Sequence, residues 1–387
     1  MQPAENSTIF NALSINRDLS RWDEHLYEMV PVQEITNPVT GQTMKFKRGD
    51  YFAPLGYGGI NGDKLRVAIH ILNEHAKTGG DKLLAHGTVM GSPQSPMAAA
   101  VARHFGYKTI TVLGGTKPET CIKKDTIQMA AWFGSDFAFV GNGYNNVIQP
   151  RVQKILAEKA PTGLYLEYGI TLDHNKHSPA AVAAFHGIGA EQVKNIPDDV
   201  DTLVIPFGSA NSGTSILLGL CKYPKPNIKE VVLVGIGPNR VKFMQERLAV
   251  IGKHLGINTD MFDLTETDKL SEPNHTASLT SFFGETHATT RAKYYRLTHY
   301  DLHSTKYVEY NDLMEYNWNG LELHPRYEGK VMTYLQEKHP ELIRPTALFW
   351  IVGSKPRLEP MLATIGHEIN PEAPTAVDLL YPVQAAA

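Results

Sequence analysis

From Leu65 onward, stretches with the apolar spacing of helices alternate with short apolar runs. Residues 65–80 (LRVAIHILNEHAKTGG) form an amphipathic pattern that ends at two glycines, and residues 82–88 (KLLAHGT) are typical of a buried strand. The alternation continues with predicted helices at 95–107, 123–135, 178–195, 212–223 and 243–256 and predicted strands at 108–115, 136–141, 201–209 and 230–237. Because strands that alternate with helices pair in parallel, the pattern predicts an α/β protein.

The predicted elements fall into two series, so we expect two lobes, each a mostly parallel sheet flanked by helices. A polar, aromatic-rich stretch at residues 284–320 is expected to interrupt the alternation, and a helix at 331–339 and a strand at 345–354 then follow. We find no internal repeat and no low-complexity segment.

Composition narrows the class of protein. Of the 387 residues, 42% are hydrophobic, and no run approaches the roughly 18 apolar residues of a membrane-spanning helix. The first 25 residues lack the features of a secretory signal, so we expect a cytoplasmic protein without membrane contact. Cys121 and Cys221 form no CxxC pair and the 16 histidines have no HExxH spacing, so we expect no metal site. A net charge of −3 gives no global attraction to polyanions.

A glycine- and serine-rich loop follows the predicted strand at 201–209. In PFGSANSGTSILLG, residues 206–219, small residues let a ligand approach the backbone, and the unpaired N–H groups at the helix start favour an anion. The loop residues that we predict to bind a phosphate are Ser209, Ala210, Asn211, Ser212, Gly213 and Thr214. An ordinary strand-to-helix turn is the alternative. The GxxxxGK nucleotide motif is absent.

A second glycine-rich loop, GYGGINGDKLR at residues 56–66, places Lys64 in the first turn of a predicted helix. A helix N-terminus disfavours an ammonium group and so helps to leave a neutral amine that can attack an aldehyde. The alternative is a solvated surface lysine, which is the usual state of this residue type.

Five segments in order along the chain resemble a known family. GGINGDKLR, GTVMGSPQSPMAAAVARHFGYK, DTIQMAAWFGSD, ANSGT and GLELHPRYEGKVMTYL are similar to motifs of 1-aminocyclopropane-1-carboxylate (ACC) deaminases and D-cysteine desulfhydrases. These enzymes belong to the tryptophan-synthase-β-like superfamily, the fold-type II enzymes that use pyridoxal 5'-phosphate (PLP). The resemblance spans residues 56–355.

The resemblance implies a two-lobed fold-type II PLP enzyme. The large, PLP-binding domain would comprise residues 1–66 and 177–387, and the small domain residues 67–176. The protein would be a homodimer, as is usual in this class.

The resemblance also implies roles for single residues. Lys64 would hold PLP as a Schiff base and shuttle protons, and the 209–214 loop would cradle the phosphate. Glu328 would face the pyridine nitrogen, where a carboxylate makes the ring a strong electron sink. Ser92 and Tyr327 would act beside the substrate, and Gln94 would contact the cofactor.

One position departs from the family pattern. The family has a Ser-Asn-Gln triplet whose asparagine lies beside the cofactor ring, but this chain has Pro93 between Ser92 and Gln94. Because proline offers no side-chain hydrogen bond, the substitution argues against ACC ring opening and D-cysteine desulfuration more than against PLP itself.

The substrate is left open between three hypotheses. Residues 287–318 combine basic and aromatic residues, which can meet phosphates and stack on bases, although a tyrosine-rich lid or interface fits equally. One hypothesis is a lyase that decarboxylates, through an external aldimine, an amino-acid-modified thymidine in DNA, similar to phage enzymes that hypermodify thymidine, and it would place the protein in a host cytoplasm. The second is a deaminase or desulfhydrase of a free small amino acid. The third, a non-enzymatic binding protein, is disfavoured by Lys64.

Overall fold

The computed structural model describes residues 22–55, 59–267, 294–309, 311–359 and 361. Its helices are α1 (Trp22–His25), α2 (Gly62–Lys77), α3 (Gln94–His104), α4 (Pro118–Cys121), α5 (Asp125–Trp132), α6 (Asn145–Lys159), α7 (Pro179–Ala190), α8 (Asn211–Lys222), α9 (Val241–Leu255) and α10 (Glu328–Lys338). Its strands are β1 (Val32–Thr36), β2 (Thr43–Arg48), β3 (Leu83–Thr88), β4 (Lys108–Gly114), β5 (Ser135–Val140), β6 (Leu164–Leu166), β7 (Thr202–Phe207), β8 (Glu230–Gly235), β9 (Phe262–Thr267), β10 (Tyr295–Asp301), β11 (Tyr316–Trp318), β12 (Leu321–Leu323) and β13 (Ala347–Ile351).

The described residues divide into two compact units. Unit 1 holds those of Met29–Gly49 and Asp173–Val352, and unit 2 holds those of Ser7–Glu28, Asp50–Leu172 and Gly353–Ala387. Three described segments that we assigned to the large domain belong to unit 2: residues 22–28, 50–66 and those from 353 onward. One reason is that α2 runs without a break from Gly62 to Lys77, so the predicted boundary between residues 66 and 67 falls inside a helix.

Unit 1 is built on a seven-stranded sheet with the order β1-β2-β13-β7-β8-β10-β9. Only the β1–β2 pair is antiparallel, and the other neighbours run in parallel. All six residues of β7 (TLVIPF) are buried, as expected for a central parallel strand that is covered on both faces. Helices α7, α8 and α9 pack on one another, and a cluster around Phe46, Trp318 and Phe349 fills the core.

Unit 2 is built on a four-stranded parallel sheet with the order β5-β4-β3-β6. Helix α2 buries Leu65, Ala68, Ile69 and Leu72, which recur at helical spacing on one face. Helix α6 packs on β3, and its Ile148 lies so close to Gly87 that a side chain at position 87 would clash. Glycine in β3 therefore permits the close approach of α6.

The predicted α/β fold class, with parallel sheets flanked by helices, is confirmed. The prediction that residues 284–320 interrupt the alternation is wrong for residues 295–301, which form β10 between β8 and β9. Helix α6 was not predicted; its apolar face is weak and Pro150 lies inside it. Among the described residues, no helix is long and apolar enough to cross a membrane, and no cluster of ligating side chains suits a metal ion.

Candidate active site

In unit 2, Lys64 is the third residue of α2 and is partly buried. The turn before it is held by Asn61, whose Oδ1 accepts from the Ser354 N–H at 2.9 Å and whose Nδ2 donates to Ser354 Oγ at 2.6 Å. Gly62 has a φ of +87°, a conformation that favours glycine. The conformation of this turn therefore explains the glycine at position 62, and the turn fixes the position of Lys64 at the start of α2.

The buried guanidinium of Arg66 anchors the same helix start. It lies 3.8 Å from the centre of the Phe52 ring and donates to the Leu26 carbonyl. Burial lowers the pKa of Arg66 to about 10, although Asp63 and Glu28 oppose that change. Leu65 and Arg66, which follow the lysine, are thus explained by packing within unit 2.

Ser92 and Gln94 lie after β3, at the carboxyl end of that strand. The Ser92 Oγ accepts from the Gln94 N–H at 3.2 Å, and Pro93 is buried at the start of α3. The Gln94 amide donates to the Glu167 carbonyl at 3.2 Å and accepts from the Gly169 N–H at 2.8 Å. Gln94 therefore ties α3 to the chain after β6, and its contact with a cofactor stays a prediction.

In unit 1, the predicted phosphate loop joins β7 to α8. Ala210 has a left-handed φ of +68°, so the chain turns sharply before the helix begins. Ser209 and Ser212 are partly exposed, and Gly213 leaves no room for a side chain because a Cβ there would lie 2.9 Å from the Phe207 ring. Thr214 donates from both its N–H and its hydroxyl to the Ala210 carbonyl, at 2.9 and 2.7 Å. Within α8, the first main-chain bond is therefore the one from Thr214 to Ala210.

Glu328 is the first residue of α10 and is 0% exposed. Its Oε1 accepts from the Val352 N–H at 2.9 Å, directly after β13. Tyr327 precedes it, partly buried, with its ring centre 4.6 Å from that of His324. A carboxylate buried at a helix start is favourably placed by the helix dipole, so Glu328 is held in a fixed orientation.

The sheet brings two of these features to one edge of unit 1. Strand β13 pairs in parallel with β7, with Ala347 opposite Thr202. The phosphate loop leaves the carboxyl end of β7, and Val352, which binds Glu328, leaves the carboxyl end of β13. Ligands of α/β sheets bind at this edge.

Lys330, which is 0% exposed, was not predicted as a site residue. Its Nζ donates to the Glu309 carbonyl at 2.6 Å. Burial, followed by the charge of Arg326, lowers its pKa to about 8. Because its pKa is lowered and it lies two residues from Glu328, Lys330 is the alternative to Lys64 as the amine that attacks an aldehyde.

The basic, aromatic stretch at residues 287–318 does not form an exposed stacking surface where it is described. Trp318 is buried and donates to the Ile35 carbonyl at 3.0 Å, and the Tyr295 hydroxyl accepts from the Lys225 N–H at 2.9 Å. Tyr307 and Tyr316 pack against the core of unit 1. Arg291, Lys293 and Tyr310 lie outside the described residues. Of the described aromatic residues, Tyr294 is exposed, whereas the four named above pack within unit 1.

Comparison with known proteins identifies the family. The family model described as "Pyridoxal-phosphate dependent enzyme" matches residues 57–277. This chain belongs to that family. A protein of Salmonella phage ViI named "O-seryl-dTMP PLP-dependent decarboxylase" is 51% identical, over 94% of this chain and 91% of its own. A crystal structure of an ACC deaminase homologue covers 91% of this chain and 95% of its own with a TM-score of 0.58 and 15% identity, which shows a shared fold.

The enzyme therefore uses pyridoxal phosphate. Each unit, taken by itself, offers groups of a kind that this cofactor can use. An aldehyde needs an amine, which Lys64 offers at a fixed helix start in unit 2. A phosphate needs clustered N–H donors, which the turn at Ala210 provides in unit 1, and a pyridine nitrogen needs a fixed partner, which Glu328 can be.

Proposed function

We propose that this enzyme decarboxylates an amino-acid group carried on a thymidine nucleotide, with O-seryl-dTMP as the substrate. The 51% identity with the phage decarboxylase, over 94% of this chain, carries the proposal. In this reaction the bond between the α-carbon and the carboxylate breaks, CO₂ leaves, and a proton takes the carboxylate's place. The nucleotide keeps a primary amine.

Bound pyridoxal phosphate supplies an electron sink for the pair left on the α-carbon. In our proposal Lys64 holds the cofactor and carries the proton that replaces the carboxylate, because it lies in the first turn of α2, where the helix start favours a neutral amine. Glu328 pairs with the ring nitrogen, and the 209–214 loop binds the phosphate. Ser92 and Tyr327 contact the substrate.

The test is the mass of the product. DNA or nucleotide that contains O-seryl-dTMP is incubated with the holoenzyme, and its nucleosides are analysed by mass spectrometry. We expect the loss of one CO₂ per modified nucleoside, no loss with Lys64→Ala, and full activity with Lys154→Ala, whose side chain is 64% exposed in the same unit. An unchanged mass with the cofactor-loaded enzyme contradicts the proposal.

The same preparation tests the other chemistry of this fold. We expect no ammonia from ACC and no sulfide from D-cysteine, since Pro93 replaces the asparagine of that family's triplet. Rapid release of either product, together with an unchanged nucleoside, contradicts the decarboxylase proposal and supports a deaminase or desulfhydrase.

We further propose that the enzyme works as a homodimer in the cytoplasm of a phage-infected host. The phage relative supports the setting, and the usual assembly of fold-type II enzymes supports the dimer. Light scattering during size-exclusion chromatography should give twice the mass of the chain, and the mass of one chain contradicts the dimer.

A further inference from the structure

A buried arginine lies behind the predicted phosphate loop. Arg247 belongs to α9 and is 0% exposed, and its guanidinium donates to Asn211 Oδ1 at 2.9 Å. Asn211 is the first residue of α8 and part of the loop. Burying an arginine is costly and such residues are rare. This cation at the base of the loop therefore depends on the polar and aromatic groups that surround it.

The same guanidinium fixes the state of a buried histidine. Arg247 lies 3.2 Å from the Nε2 of His186, whose Nδ1 lies 2.9 Å from the Oγ of Ser215. Because arginine only donates, Nε2 must accept, which leaves the proton on Nδ1. Burial, and then the charge of Arg247, hold the pKa of His186 well below its usual value. The imidazole is therefore neutral, and the positive charge stays on the arginine.

The arginine also fixes the side-chain amide of Asn211. A rotation of that amide by half a turn would put its NH₂ group against a guanidinium that has no acceptor. The oxygen therefore faces Arg247, and Nδ2, on the other branch of the amide, faces away from it. Phe243 also contacts the guanidinium, since the Cζ of Arg247 lies over its ring, 4.3 Å from the ring centre.

We propose that Arg247 is a positioning residue for the phosphate of the cofactor. It holds the side chain of Asn211 in one orientation at the start of α8, and it adds a fixed positive charge behind the helix start. Both effects favour a dianion over the uncharged group that pyridoxal carries at the same position. The inference depends on the proposed binding of the phosphate at residues 209–214.

The test compares two ligands that differ only in the phosphate. The apoenzyme is titrated with pyridoxal phosphate and with pyridoxal, and binding is followed by absorbance. With Arg247→Met we expect the affinity for pyridoxal phosphate to fall about tenfold or more, with the affinity for pyridoxal unchanged. Protection from thermal unfolding by inorganic phosphate should weaken in parallel. Arg247→Lys, which keeps the charge but loses the planar fork, should restore part of the affinity.

Control variants separate the possible failures. Leu248→Ala, a buried neighbour on α9, lowers stability but should keep the wild-type ratio of the two affinities. Ser212→Asp puts a negative charge in the loop, so it should lower the affinity for pyridoxal phosphate and leave the affinity for pyridoxal unchanged. If Ser212→Asp does so and Arg247→Met leaves the ratio unchanged, the role of Arg247 is overturned.

If Ser212→Asp also leaves the ratio unchanged, the placement of the phosphate is itself wrong. If Arg247→Met does not fold, Arg247→Lys carries the same comparison, with a severalfold loss expected for pyridoxal phosphate alone.

Discussion

The hydrogen bonds between Asn61 and Ser354 should stabilise the helix start that carries Lys64. Asn61 is 1% exposed, and its side chain makes two bonds to Ser354, at 2.9 and 2.6 Å. A buried hydrogen bond contributes about 0.5–1.5 kcal/mol. Asn61→Ala should therefore lower the free energy of unfolding by about 1–3 kcal/mol, and Ser354→Ala, which removes only the Oγ bond, by about 1 kcal/mol.

Urea denaturation of the two single variants and the double variant measures this contribution. Since both changes remove the bond to Oγ, the double variant should be less destabilised than the sum of the singles, by about 0.5–1 kcal/mol. Asn146→Ala, at an exposed asparagine of α6 in the same unit, should lower the free energy of unfolding by less than about 0.5 kcal/mol. Additive single changes, or an Asn61→Ala variant as stable as the wild type, would refute the reasoning.

Three further changes test other parts of the account. Glu328→Gln keeps an acceptor for the Val352 N–H but removes the charge, so single-turnover decarboxylation should slow about a hundredfold with cofactor binding retained; an unchanged rate would exclude the carboxylate role. Gly213→Ala places a Cβ 2.9 Å from the Phe207 ring and should cost about 1–3 kcal/mol in denaturant, whereas wild-type stability would show that the ring moves freely. Burial alone would raise the pKa of Glu191, but hydrogen bonds from two lysines and a tyrosine outweigh it and lower the pKa to about 2. Because the pKa is lowered, the ionised Glu191 stabilises the fold above pH 4.5, and this stabilisation is lost as the pH falls towards 2. Glu191→Gln should therefore lower the free energy of unfolding by on the order of 2 kcal/mol at pH 7 and leave it unchanged near pH 2. A difference that stays constant with pH would contradict this.

Local sequence patterns predicted the α/β alternation but not every strand. The run TLVIPF predicted β7 because a central parallel strand is apolar on both faces. In contrast, β2 (TMKFKR) carries three basic residues and yet is largely buried. Lys45 is accommodated by Asp199 at 2.8 Å and by the Pro345 carbonyl at 2.6 Å, both far away in sequence. No local pattern shows such partners.

In the candidate site, too, features with a local sequence signal could be predicted, and those that depend on distant partners could not. The loops that carry Lys64 and Ala210 could be predicted because their runs of glycine and small residues are a local sequence signal for a turn before a helix. Arg247 could not be predicted, since its partners His186 and Asn211 come from two other helices. The aromatic stretch suggested a nucleotide ligand. Most of its described rings pack in unit 1, although Tyr294 is exposed, and the support for a nucleotide comes from the phage relative.

The identity of the lysine that holds the cofactor tests the account most directly. Borohydride reduction of the holoenzyme, followed by peptide mapping, locates the phosphopyridoxyl group on one side chain. The account predicts that the group lies on Lys64 and that Lys64→Ala loses the absorbance of the bound cofactor. A label on Lys330, the buried lysine whose pKa falls to about 8, would contradict it.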